Sequence, residues 1–146
     1  MPRFNNSRDL ERYLKKALDR LQAETLIKVQ KDLGDPSVSP RDTGRFRSSW
    51  FAAEGSSSSA VAPEGTDRAN EDAKGLTVSS DKTYHLTNNL VYAAAIALGE
   101  NTPPSWGGQN RVKAPISPTW FTDFKNARIP ELQQEAANKI KRDFDL

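Results

Sequence analysis

The residues of this chain with the clearest chemical potential are the triplet Asp42-Thr43-Gly44 and the single histidine, His85. Asp-Thr-Gly presents the catalytic carboxylate in aspartic proteases, where two such carboxylates sit together, desolvated, and share one proton. That arrangement needs a buried apolar strand ahead of the triplet. Here Ser39-Pro40-Arg41 precedes it and Arg45-Phe46-Arg47 follows. Guanidinium groups beside a carboxylate favour its charged form, the opposite of what a shared proton requires. The triplet therefore reads as a helix cap with a glycine turn. His85, between Tyr84 and Leu86, belongs on a sheet face more readily than in a Ser-His-Asp triad. No acid and histidine share ligand spacing with a second pair, and Gly99, Gly107 and Gly108 fit neither phosphate-binding pattern. The expectation is a protein that is not an enzyme and takes no cofactor and no metal.

The aromatic and arginine residues say more, because these types are enriched at interface cores. Trp50 follows Arg45 and Arg47, Trp106 lies between Pro104 and Gly107, and Trp120 stands beside Phe121. A tryptophan in a loop of Pro and Gly has no local element to bury it, so Trp106 is the leading interface candidate. Trp50 and Trp120 read more readily as core. Together with the acids of a long polar stretch, the candidate subunit or partner interface is Arg45, Arg47, Trp50, Glu64, Asp67, Glu71, Asp72 and Trp106.

Positioning these residues falls to one domain of 146 residues with formal charge +2. Leu, Ile, Val and Phe together number only 29, on the margin of what forms a core. A balanced charge argues against a dedicated nucleic-acid binder. No apolar run is long enough for a membrane span, and the first residues lack the apolar stretch of a signal peptide. The absence of cysteine excludes disulfides.

Leu10, Tyr13, Leu14, Ala17, Leu18 and Leu21 repeat at the three-and-four spacing of a helix face, predicting a helix over 7–33 within an N-terminal unit 1–34. Asn6 or Ser7 caps its start and Gly34 ends it. At ~1.5 Å per residue it is about 40 Å long, more than the domain needs, so one end should project or dock on another subunit. Asp42 or Thr43 caps a short helix holding Phe46 and Trp50, and a strand starts at Trp50. A strand over 83–87, a short helix from Leu90 to Leu98 closed by Gly99, a last strand at 112–116, and a helix over 130–146 begun by Pro130 follow.

Residues 52–82 stand apart. They hold three of the 29 bulky apolar residues, with six acids against three bases. Such a stretch cannot offset its ordering entropy by burial. It reads as a protruding flexible hairpin arm, with strands at 50–54 and 75–80 and a mobile tip. On that reading, removing residues 56–74 leaves the subunit folded.

The order of these pieces resembles the tail-completion and neck proteins of long-tailed bacteriophages. The matching features are the charged first helix and Asp42-Thr43-Gly44-Arg45-Phe46-Arg47-Ser48-Ser49-Trp50, where that family has a Thr-Gly-Arg-hydrophobic motif leading into a strand. They continue with a variable hairpin, Asn88 or Asn89 with Val91-Tyr92-Ala93 and Gly99, and a basic residue with Ala114-Pro115 before a terminal helix. Leu98 stands before Gly99 where the family has Glu. The resemblance implies an α+β subunit with a small antiparallel sheet packed by helices. It implies a structural virion protein, assembled in the host cytoplasm into a hexameric ring at the head–tail interface. Its partners would be the tail tube and the head connector or adaptor proteins, with DNA passing through the ring without sequence-specific binding and no membrane contact. The acidic 52–82 stretch and the basic first helix would supply complementary sides of the ring contact. The alternative is a small nucleic-acid-binding accessory protein using the basic first helix, whose mark is a steep loss of affinity with salt.

Overall fold

A computed structural model describes residues 2–40, 44–100, 102–107, 112 and 116–146. The architecture is α+β: a two-stranded antiparallel sheet packed by a long first helix and a C-terminal helix. The expected cap at Asp42 or Thr43 and most of the expected strand at 112–116 lie outside the described residues.

Helix α1 (Ser7–Leu33) begins and ends where the caps predict. The Asn6 side chain accepts from the Asp9 N–H at 3.0 Å, and the Gly34 N–H returns to the Gln30 carbonyl. Gly34 has an ordinary helical φ of −87°, so left-handed geometry does not select glycine there. Close approach does: a Cβ on Gly34 would lie 2.5 Å from the Ala69 Cβ. At the end of α1 expected to project or to dock on another subunit, one face is met within the chain, while Leu14 and Leu18 are exposed. Phe4 and Phe144 flank the Tyr13 ring at 5.1 and 5.3 Å, and the Tyr13 hydroxyl donates to the Phe144 carbonyl. The long helix is accommodated because α5 (Ile129–Asp143) runs beside it. Leu132, Ala136 and Ile140 of α5 are buried at the spacing of one helix face.

Three shorter helices complete the helical part: α2 (Arg45–Ser48), α3 (Ala93–Leu98) and α4 (Trp120–Asp123). A π-helical turn over Phe124–Arg128 joins α4 to α5 without a break. The core is aromatic where the elements meet. Phe46 of α2, fully buried, makes edge contacts with Trp50 and Trp120 at 5.8 and 5.9 Å, and Trp50 stacks on Phe121. The Trp120 indole donates to the Ile96 carbonyl, which ties α4 to α3.

Strand β1 (Trp50–Glu54) pairs with β2 (Tyr84–Asn88), with Trp50 opposite Asn88 and Glu54 opposite Tyr84. This corrects the expected pairing with 75–80. The Leu76 and Val78 alternation imitates a strand, but the backbone there is committed elsewhere. The Ser79 N–H donates to the Tyr84 hydroxyl and the Ser80 N–H to an Asp19 carboxylate oxygen on α1.

The 52–82 stretch, expected as a protruding arm, folds back along the body. Ala62 and Ala73 are buried, a turn of 3-10 helix over Asp72–Gly75 lies against α1 and β1, and Ala69 sits on Gly34. Its shortage of bulky side chains is met by small residues packed tightly and by hydrogen bonds from other elements. Deleting residues 56–74 is therefore expected to weaken the cooperative thermal transition by many degrees or to abolish it. An unchanged transition, measured by circular dichroism, would return this segment to the status of an arm.

Candidate functional site

The Gly44-to-Ser49 segment spends nearly every polar group on its own chain. Gly44 has φ +85°, open to glycine at little cost, and a Cβ there would lie 2.3 Å from the Asp67 carboxylate. The tight turn faces Arg47 toward two segments at once. Arg47 Nε donates to Asp67 Oδ1 at 2.7 Å, Nη2 to the Asp67 carbonyl at 2.8 Å and Nη1 to the Gly34 carbonyl at 2.7 Å. One planar fork thus ties the end of α1 to the loop at Asp67. Arg45 Nε donates to the Ala62 carbonyl at 2.7 Å, and Glu64 stands 3.9 Å from Arg45. Glu64 is nearly fully exposed, so that pair contributes little. The Ser48 hydroxyl accepts from the Arg68 N–H, and the Ser49 hydroxyl accepts from the Ala62 N–H.

Asp72 closes the same assembly from the other side. Its Oδ1 accepts from the Ala52 N–H on the outer edge of β1 at 3.1 Å and from the Gln30 side-chain amide. Gln30, 1% exposed, also donates to the Trp50 carbonyl at 3.0 Å and accepts the Ala73 N–H at 2.9 Å. Sequence reasoning overlooked this residue. Leu26, Gln30 and Leu33 are spaced four and three apart, so an amide within an apolar stripe was the available signal.

Of the eight candidate residues, five come together in this network: Arg45, Arg47, Glu64, Asp67 and Asp72 pair within one copy. Glu71 lies beside it in an exposed pair with Lys74 at 2.8 Å. Trp50 is buried in the aromatic core, and Trp106 is half-buried against Tyr92 at 6.2 Å. His85 lies on β2 opposite Ala53.

The basic face of α1 also finds partners inside the chain. Lys15 pairs with Asp19 and Asp81, Arg20 with Asp143 and Lys28 with Glu135. The acidic stretch and the basic helix thus meet within one copy at Lys15 and Asp81. The Ser80 backbone N–H, with further help from the Ser80 hydroxyl and Lys15, holds the Asp19 carboxyl below the ordinary aspartate value. Among the described residues no three His, Asp or Glu side chains gather as metal binding would need, and no helix is long and apolar enough to cross a membrane. What the arrangement does chemically is hold backbone in place.

No family model, curated protein or solved structure matches the chain.

Two outcomes test these contacts, one for the Gln30 network and one for Asp19. Gln30→Leu strands the buried Trp50 carbonyl and Ala73 N–H and takes one donor from the exposed Asp72 carboxylate, and is expected to cost about 2–4 kcal/mol, read from denaturant midpoints. A loss within ~0.5 kcal/mol would show that the amide holds nothing. A carboxyl whose folded pKa is depressed adds stability that is fully present above its unfolded pKa and is lost as pH falls through the folded value. Asp19 is such a group, so the urea midpoint should fall as pH drops below about 4. Asp19→Asn should start lower at neutral pH and fall less steeply; identical pH profiles would exclude Asp19 as a contributor.

Proposed function

We propose that this chain is a structural virion subunit of a tailed phage. It would form a ring at the head–tail interface, as a tail-completion or neck protein, joining the tail tube to the head connector around the DNA channel. The observation that carries the reading is where the resembling residues fall. Gly44, Arg45, Arg47, Ser48 and Ser49 build the junction between α1, β1 and the 60–68 loop. Asn88 donates from its side-chain amide to the Phe46 carbonyl at 2.8 Å, locking β2 to α2, and Asn89 donates to the Ser58 and Ala60 carbonyls. The similarity thus rests on the residues that set the architecture, as expected of a part whose work is mechanical.

Exposed apolar side chains support a subunit that is completed by neighbours. Val91, in the turn before α3, is 96% exposed, and Leu98, the last residue of α3, is 48% exposed. Leu14 and Leu18 are exposed on α1. A ring closes by repeating one head-to-tail contact, which uses two different faces of each copy.

Native mass spectrometry of the purified chain, alone and with isolated tail tubes, tests this reading. The expected result is a closed oligomer of six copies, with tube ends capped by a ring in negative-stain images. A chain that stays monomeric at all concentrations and never associates with tube or connector would refute it.

A further inference from the structure

Among the described residues the sheet has one closed edge and one open edge. Trp50 and Ala52 turn their backbone groups away from β2, toward Gln30 and Asp72. The Gly55 N–H donates to the Thr83 carbonyl, so 51, 53 and 55 face β2 and 83, 85 and 87 face β1. Tyr84, Leu86 and Asn88 must therefore direct their N–H and C=O groups outward from β2. Among the described residues no hydrogen bond reaches these groups, and the sheet has no third strand.

Such an edge is ordinarily blunted by a Lys, a Pro, a bulge or a covering element. The β2 sequence Tyr-His-Leu-Thr-Asn carries none of these residues, and its register is unbroken. Below the edge runs an open groove of about 940 Å³ between β2, α1 and α5, bordered by Leu18, Leu21, Leu26, Tyr84, Leu86 and Pro130. Among the described residues none that lines it is charged, on a chain with 40 charged residues.

The same chain carries a matching segment. Residues 55–63 are uncharged, and 59–61 are exposed, with Val61 at 39%. The carbonyls of Ser58 and Ala60 both turn inward to the Asn89 amide, the alternation of an extended chain. No hydrogen bond among the described residues reaches the backbone of Ser57, Ser59 or Val61. Three alternate residues with open backbone groups on one segment thus match three on the β2 edge.

We propose that residues 57–61 of one copy add as a third strand to the open β2 edge of the next copy, with Val61 entering the apolar groove. This names the contact within the ring reading and rests on it. Residues directly opposed across paired strands share a face, so Ser57, Ser59 and Val61 point to the groove with Tyr84 and Leu86. Main-chain bonds supply the attraction and the groove selects uncharged side chains. A five-residue strand is a small contact, and it fits a ring in which every copy gives one strand and receives one.

The chain has no cysteine, so single-thiol variants are clean probes. Ser59→Cys and Leu18→Cys, mixed under conditions where native mass spectrometry shows oligomers, should cross-link to each other through a short bismaleimide, while neither variant cross-links to itself. Val61→Asp, exposed in the single chain, should keep its thermal transition and weaken association about tenfold or more. Oligomers that form without the mixed cross-link, or that tolerate Val61→Asp, overturn strand addition and leave the ring reading standing. A chain that is monomeric even with tail tubes overturns both.

Discussion

The outer edge of β1 is the constraint on which the structure turns. A two-stranded sheet leaves backbone donors and acceptors unpaired on each side, and the Trp50 end of the outer β1 edge is buried near α1, where its carbonyl needs a partner from the chain. The chain answers with side chains. Gln30 and Asp72 take the places a third strand would occupy, binding the Trp50 carbonyl and the Ala52 N–H. Because Gln30 also accepts the Ala73 N–H, one buried amide fixes the helix, the strand and the 3-10 turn together. Breaking one member leaves several buried polar groups unmet, so the network acts as a unit.

The α2 turn does the same for the loop that precedes this junction. Arg47 joins two carbonyls and a carboxylate in separate segments, and Ser48 and Ser49 each serve a loop N–H. These bonds are partly buried and aimed at backbone, which gives them more weight than the exposed ion pairs around α1. The chain thereby orders a polar segment that burial alone would leave loose. Among the described residues three surface features are left without a partner in the chain: the β2 edge, the uncharged groove beneath it, and the exposed Val91 and Leu98.

Much of the helical frame was legible in the sequence. The α1 stripe, the Asn6 cap and the Gly34 stop are local signals, and the structure places them as spaced. Strand character at 50–54 and at 83–87 was also legible, because Tyr84 and Leu86 alternate toward one face. The pairing was not, since Leu76 and Val78 show the same alternation, while the residues that follow them, Ser79 and Ser80, bond to Tyr84 and Asp19 instead of to β1. The acids Asp67 and Asp72 read from composition as candidates for a subunit or partner interface. Their partners lie 20 residues or more away in Arg47, Ala52 and Gln30, a separation that no local pattern encodes.

Amide hydrogen exchange on the dilute, monomeric chain tests the central claim most directly, because it reads which backbone groups are held and which are open. Side-chain acceptors hold the amides of Ala52, Ala62, Arg68 and Ala73. These four should be protected like the buried core, while Tyr84, Leu86 and Asn88 exchange quickly. Rapid exchange through 62–73, or slow exchange along the β2 edge in the monomer, would contradict the account.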